Sequence, residues 1–120
     1  MPQAAAPLAG RGRVHLTVGR PHAAIRDFSR AVSADPRFAA AYRARAEAKL
    51  EISHNEDAIE DLSRAIAFDA ENAELYLLRG QAYMATRKLG PALKDFTKVV
   101  ELNPDSARGY AARGVPTRRV

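Results

Sequence analysis

Apolar and polar residues along this chain follow the period of helices. In 24–32 the order is Ala24-Ile25-Arg26-Asp27-Phe28-Ser29-Arg30-Ala31-Val32, which puts Ala24, Phe28 and Ala31 on one helix face. The pattern returns as Ala58-Ile59-Glu60-Asp61-Leu62-Ser63-Arg64-Ala65-Ile66 and again as Ala92-Leu93-Lys94-Asp95-Phe96-Thr97-Lys98-Val99-Val100, at one constant offset. An upstream block keeps the same offset: Leu8-x-x-Arg11-Gly12, Tyr42-x-x-Arg45-Ala46, Tyr76-x-x-Arg79-Gly80 and Tyr110-x-x-Arg113-Gly114. The chain is therefore an internally repeated one.

Laid on the 120 residues, the repeats occupy 5–38, 39–72 and 73–106, with a leader at 1–4 and a tail at 107–120. Each unit predicts two helices. The first begins just before the Tyr position and ends near Leu50 in the second unit and Met84 in the third. The second covers 21–34, 56–68 and 90–102. Turn signals separate them at Val18-Gly19-Arg20, Ser53-His54-Asn55 and Arg87-Lys88-Leu89-Gly90. Ser53-x-x-Glu56 has the form of a capping box, with Asn55 as a competing N-cap. Pro21 and Pro91 fit a first helical turn, where a missing N–H costs nothing. The second helices stop at Asp35-Pro36, Asp69-Ala70 and Asn103-Pro104, where proline disfavours helical geometry in the residue before it. A hairpin of this size cannot bury its own apolar face, and about three stacked units are needed. The predicted fold class is all-α.

These positions resemble the tetratricopeptide repeat (TPR) family, over about residues 8–114. The large position of the first helix holds Leu8, Tyr42, Tyr76 and Tyr110, and the small one Gly12, Ala46, Gly80 and Gly114. In the second helix the family's small, large and small positions hold Ala24, Phe28 and Ala31; Ala58, Leu62 and Ala65; and Ala92, Phe96 and Val99. Pro36 and Pro104 match its terminal proline. The departures are Ala70 for Pro, Leu62 for an aromatic, and His15 and Lys49 where Tyr83 follows the usual pattern. The resemblance implies a right-handed α-solenoid of three helix-turn-helix units plus a short C-terminal helix. It also implies a non-enzymatic protein–protein interaction module, a scaffold or adaptor that binds a peptide or partner helix in a concave groove.

By the same resemblance the groove is lined by the fifth, ninth and twelfth residues of each repeat. These are Ala9, Arg13 and Leu16, then Arg43, Glu47 and Leu50, then Leu77, Gln81 and Met84, with Ala111 beginning a fourth row. The i, i+4, i+7 spacing puts each trio on one helix face. Leu and a flexible Met suit adaptable peptide contacts. The alternative is that the stripe packs against the short C-terminal helix or a neighbouring molecule. TPR domains that hold the C-terminal carboxylate of chaperones resemble one another in a Lys/Asn/Arg clamp. The matching positions here are Ala9, Arg13, Ala44, Glu74 and Leu78, of which only Arg13 is cationic and Glu74 is repulsive. The expectation is against a chaperone-tail adaptor.

A polar pair also repeats. Arg11, Arg45 and Arg79 share one first-helix position, and Asp27, Asp61 and Asp95 share one second-helix position. The spacing permits structural ion pairs within each repeat. It equally permits pairs across repeats, Asp27 with Arg45, Asp61 with Arg79 and Asp95 with Arg113.

Composition narrows the partner class. The chain is 47% hydrophobic and only 7% aromatic. The apolar share is carried by Ala, which outnumbers Val, Ile and Leu together and is both the best helix former and a close-packing residue. Net charge is +5, which permits nucleic acid or an anionic surface as partner. The charge is uneven: +4 in the first repeat, −4 in the second, +1 in the third and +4 in the tail. A phosphate-tracking stripe needs continuous basic residues, and Glu56-Asp57-x-x-Glu60-Asp61 interrupts it. Most of that run is expected on the solvated face, with Asp61 the exception. A basic nucleic-acid-binding module is thus the second reading, and a self-assembling structural unit the third.

Catalytic signals are weak. There is no cysteine, and His15, His22 and His54 lack metal-ligand spacing, so no metal site or cofactor is expected. Gly10-Arg11-Gly12 lacks the third glycine and preceding strand of a phosphate loop. No catalytic residue is assigned. The start, Met1 to Gly10, is proline-broken and has neither a basic nor a leucine-rich signal region, and no stretch is apolar enough to span a membrane, so cytoplasm is the default expectation. The first helix, with Pro7, Gly10 and Gly12, is expected to be the least stable. A fourth repeat begins at 107 and breaks at Pro116, which predicts a poorly capped C-terminal end open to self-association or to continuation in a longer array.

Overall fold

The structure is a computed structural model, which describes residues 2–104. Among the described residues six helices follow one another: α1 (Pro2–Thr17), α2 (Pro21–Ala34), α3 (Ala39–Glu51), α4 (Asn55–Phe68), α5 (Ala73–Ala85) and α6 (Leu89–Leu102). They form three hairpins, α1–α2, α3–α4 and α5–α6, and each hairpin's second helix packs on the next hairpin's first. The stack is elongated, 51 × 25 × 23 Å. The expected fourth row, with Tyr110, Ala111, Arg113 and Gly114, and the short C-terminal helix lie outside the described residues.

Small residues set the spacing of this stack. Ala24, Ala31, Ala46, Ala48, Ala58 and Ala65 are fully buried, so helix backbones approach closely. One cluster runs from Ala31 and Val32 of α2 through Tyr42 and Ala46 of α3 and Leu62 of α4 to Leu75 of α5. A second joins Tyr76 and Leu77 to Ala92, Phe96 and Val99, and a third joins Ala24 and Phe28 to Ala44 and Ala48. Burying a Phe or Leu of this kind contributes about 1.5–3 kcal/mol.

The first-helix small position is matched to its partner's size. A Cβ added to Gly12 would stand 2.7 Å from Phe28 Cε1, and one added to Gly80 would stand 2.6 Å from Phe96 Cε1. Where the partner is the smaller Leu62, the small residue is Ala46, in the same cluster. The departure at Leu62 is therefore one half of a compensated pair.

The turns repeat as faithfully as the helices. Gly19, Ser53 and Arg87 occupy one position of the repeat, with φ of 82°, 63° and 64°. The next amide in each turn donates back to the end of the preceding helix: Arg20 N to His15 O, His54 N to Lys49 O and Lys88 N to Tyr83 O, all 2.8 Å. This is a left-handed C-terminal cap that satisfies carbonyls left open by the helix. Ser53 is consumed in it, so the expected capping box does not form. The N-cap of α4 is His54, without a side-chain hydrogen bond, and Asn55 is already helical. Pro21 opens α2 as expected, and Pro91 lies in the first turn of α6.

Between hairpins, tyrosine hydroxyls close the turn. Tyr42 Oη donates to Pro36 O and Tyr76 Oη to Ala70 O, each at 2.9 Å. The acceptor is a main-chain carbonyl, which explains why Ala70 replaces proline without loss of the bond. Asn72 caps α5 by accepting from Glu74 N at 3.1 Å.

The first helix contains Pro7, as expected. α1 begins at Pro2, inside the leader, and continues through Pro7. Pro7 forfeits one backbone bond and is exposed. The helix-forming alanines 4–6 and the packing of Leu8 and Ala9 on the central cluster offset that loss.

Candidate functional site

The repeated Arg and Asp meet within each hairpin, across the turn between its helices. Arg11 Nε and Nη2 donate to Asp27 at 2.8 and 2.9 Å, Arg45 to Asp61 at 2.9 and 2.7 Å, and Arg79 to Asp95 at 2.8 and 2.8 Å. Each bond pair is bidentate, the strong geometry for guanidinium and carboxylate. The alternative pairing, from one repeat to the next, does not occur among the described residues. The cross-repeat link goes elsewhere. Arg45 Nη1 donates to Ser29 Oγ at 3.1 Å and Arg79 Nη1 to Ser63 Oγ at 3.0 Å, so each arginine holds its own aspartate and the preceding repeat's serine. The recurrence of Ser29, Ser63 and Thr97 in the sequence is the available signal for this.

The two departures at the Tyr83 position acquire a role beside these pairs. Lys49 Nζ lies 2.9 Å from Asp61, and His15 Nε2 lies 3.7 Å from Asp27. Arg64 adds a contact to Asp61 at 3.1 Å. Asp61 is wholly buried among Arg45, Lys49 and Arg64, whereas Glu56, Asp57 and Glu60 of the same acidic run are exposed. In the third repeat Tyr83 instead stacks its ring 5.8 Å from the Arg79 guanidinium. Hydrogen bonds from Arg11 hold the Asp27 carboxyl below its ordinary range, against the opposing effect of burial. The Arg11 and Arg79 guanidiniums are held further on the protonated side by Asp27 and Asp95. These groups are paired with one another and hold the hairpins together.

Part of the stripe expected to line the groove is linked by ion pairs across α1, α3 and α5. Arg13 Nη1 of α1 meets Glu47 Oε1 of α3 at 3.3 Å, and Arg43 Nε meets Glu47 Oε2 at 3.3 Å. Arg43 Nη2 then reaches Glu74 Oε2 of α5 at 4.0 Å. The result is a charge-alternating ladder, Arg13–Glu47–Arg43–Glu74, that crosses three successive repeats. Glu74, which the sequence marks only as a clamp position, is the far end of this ladder. Exposed pairs of this kind contribute about 0.2–1 kcal/mol each, so the ladder adds little to stability. Of the other stripe residues, Leu16 and Leu50 are half-buried and pack against the core clusters, whereas Gln81 and Met84 are exposed.

One expected groove residue is corrected. Leu77 is 3% exposed and packs with Tyr76, Ala92, Phe96 and Val99, so it belongs to the core. Its equivalent on α3, Arg43, is half-buried and joins the ladder. A separate cleft of about 490 Å³ is lined by Arg79, Tyr83, Gly90, Pro91, Lys94 and Asp95, away from the stripe. Among the described residues no group of three or more His, Asp or Glu stands together as a metal site, and no helix is long and apolar enough to cross a membrane.

Comparison with known proteins agrees with this architecture. A TPR repeat family model matches residues 51–86 and a tetratricopeptide repeat model matches 73–106. The second TPR of Spaghetti (RPAP3), solved bound to the HSP90 peptide SRMEEVD, is 32% identical with a TM-score of 0.81, over 84% of this chain and 94% of that one. The first TPR of the same protein, bound to the same peptide, is 27% identical with a TM-score of 0.90, over 95% and 90% of the two chains. A crystal structure of MamA is 27% identical with a TM-score of 0.89, over 92% of this chain but only 64% of MamA, so the chain spans less than two thirds of that relative. No curated protein matches the chain in sequence. With its helix hairpins in constant register and this agreement in sequence and backbone, the chain belongs to the tetratricopeptide repeat family.

Proposed function

We propose that the shared face of α1, α3 and α5 binds a segment of a partner protein. The protein is an interaction module, and the ladder Arg13–Glu47–Arg43–Glu74 beside Leu16, Leu50 and Met84 is the surface that meets the partner. The observation that carries this reading is that the side chains of the ladder span three repeats while contributing little to the fold. Solved relatives with the same hairpin arrangement hold HSP90 and HSP70 peptides. The Arg–Asp pairs stay structural in this reading.

The surface has a defined chemistry. Its charges alternate, so it suits an amphipathic segment with an apolar row and isolated charges of both signs. It does not suit a strongly acidic tail. Of the five clamp positions, Ala44 is buried, Ala9 and Leu78 are apolar, Glu74 is acidic, and Arg13 is already paired with Glu47. An acidic peptide needs several unspent cations.

The test is a displayed peptide library selected on the full chain, followed by calorimetry. Arg13→Glu and Met84→Glu are expected to weaken the selected peptide more than tenfold, with helical circular dichroism unchanged and Glu60→Ala neutral. The peptide SRMEEVD serves as the counter-probe and is expected to bind at least tenfold more weakly than the selected one. A peptide whose affinity ignores both groove variants sinks the assignment. A steep loss of affinity for generic RNA with rising salt, together with no peptide selected, favours the nucleic-acid reading instead.

A further inference from the structure

One hairpin departs from the other two beside its Arg–Asp pair. In the first two, further basic groups close on the aspartate. His15 and Arg30 stand 3.7 and 4.0 Å from Asp27, and Lys49 and Arg64 stand 2.9 and 3.1 Å from Asp61. In the third hairpin the same positions hold Tyr83 and Lys98. The Arg79 guanidinium lies 5.8 Å over the Tyr83 ring, and Lys98 stands 6.0 Å over the Tyr76 ring. Gly90 occupies the position of His22 and Glu56, and nothing lies within 4 Å of a Cβ built on it. Here the cleft of about 490 Å³ opens, between Arg79 and Tyr83 of α5 and Gly90, Pro91, Lys94 and Asp95 of α6. Arg79 bonds both Asp95 and Ser63, so the cleft lies on the side of α6 that faces the preceding hairpin.

The charge of this cleft is unbalanced. Arg79 and Asp95 neutralise each other in a bidentate pair, and Asp95 is buried. Lys94 is exposed at the rim, and among the described residues it meets no carboxylate. Arg87, Lys88 and Lys98 of the same hairpin meet none either, where the middle hairpin holds Ser53, His54 and Arg64. The excess is positive, which attracts an anion. Donors are available to it: Lys94 Nζ, Tyr83 Oη, which has no partner among the described residues, and Arg79, whose guanidinium carries more N–H groups than its three bonds use. The Tyr83 and Pro91 rings give the cleft apolar walls. Its rim residues Gly90, Pro91 and Lys94 are all exposed, so it does not enclose a free small molecule to the usual extent of about 70–90%. It suits an anionic side chain carried in on a longer segment.

We propose that this cleft is a second contact point for a partner protein, separate from the ladder, and that it takes the carboxylate side chain of an acidic residue. Lys94 and Tyr83 Oη hold the carboxylate. The Tyr83 and Pro91 rings receive its methylenes and an apolar neighbour on the same segment.

An NMR titration of the full, isotope-labelled chain tests this with the capped tripeptide Leu-Glu-Leu and its neutral match Leu-Gln-Leu. The Glu peptide is expected to shift the amide signals of Gly90 and Lys94 saturably at millimolar concentration, and the Gln peptide to bind at least tenfold more weakly. Lys94→Glu, a surface change checked by circular dichroism, weakens the Glu peptide more than tenfold. Tyr83→Phe, which removes only the hydroxyl, weakens it about threefold. Met84→Glu leaves it unchanged, so loss of the groove assignment and loss of this one are distinguishable. Equal binding of the two peptides, no saturable shift at Gly90 and Lys94, or full affinity in Lys94→Glu overturns the proposal. So does affinity lost in Met84→Glu and kept in Lys94→Glu, which places the peptide in the groove.

Discussion

Gly80 lies so close to Phe96 that a methyl group on it would stand 2.6 Å from the ring. The same relation joins Gly12 to Phe28, and its smaller version joins Ala46 to Leu62. The two helices of each hairpin are thus held at a distance set by a matched pair of residue sizes. Gly80→Ala is expected to destabilise by about 1–3 kcal/mol through overpacking, although Ala is the better helix former. Leu62→Phe should cost a similar amount, and adding Ala46→Gly should recover part of it. A double-mutant cycle in urea measures the coupling, and a coupling near zero refutes the size match.

Asp61 is the deepest charge in the molecule's middle repeat, bonded to Arg45, Lys49 and Arg64. Asp61→Ala leaves three cations facing one another without their counter-charge, two of them largely shielded from water. The expected loss is about 3–5 kcal/mol, whereas Glu60→Ala on the exposed face of the same helix stays near zero. Equal melting temperatures for the two variants sink this assignment.

How far the chain can be read from its sequence depends on whether a contact repeats. The helices, the small positions and the Arg–Asp pairs recur at a constant offset and are legible. The partner of each arginine is not, because spacing alone allows both pairings, and the geometry that decides it is the turn between α3 and α4. Ser53 shows the limit of local motifs. Its spacing to Glu56 suits an N-cap, but the left-handed turn that ends α3 claims Ser53 first. Leu77 shows another limit. The position that holds a half-buried arginine on α3 holds a core leucine on α5.

Asp27 makes the fold acid-sensitive. Its carboxyl is held below the ordinary value of 3.8, chiefly by the Arg11 hydrogen bonds, then by the charges of Arg11, His15 and Arg30. A folded-state value below the unfolded one means the native state favours the ionised form. The stabilisation is fully present above the unfolded value and is lost as pH falls through the folded one. Melting temperature should therefore drop on acidification below about pH 4. Asp27→Asn should be less stable at neutral pH and show a shallower acid slope. Identical slopes for wild type and variant in an acid melting series refute the linkage.

The three hairpin turns offer an internal comparison at a single backbone position. Gly19, Ser53 and Arg87 all stand in the left-handed region, where a side chain costs about 1 kcal/mol and glycine nothing. Gly19 fills the position without strain, and the other two residues bear it. Arg87 is exposed, and its amide bond to Met84 O is a main-chain one that survives any substitution. Arg87→Gly therefore removes strain without removing a contact. Against this, glycine raises the conformational entropy of the unfolded chain by about 0.4–1 kcal/mol. The net expectation is neutral to stabilising, and Gly19→Ala, which adds strain and lowers unfolded entropy at once, gives the reference. Urea midpoints should rank Arg87→Gly at or above wild type and Gly19→Ala below it. The reverse order would mean that something other than φ governs this turn.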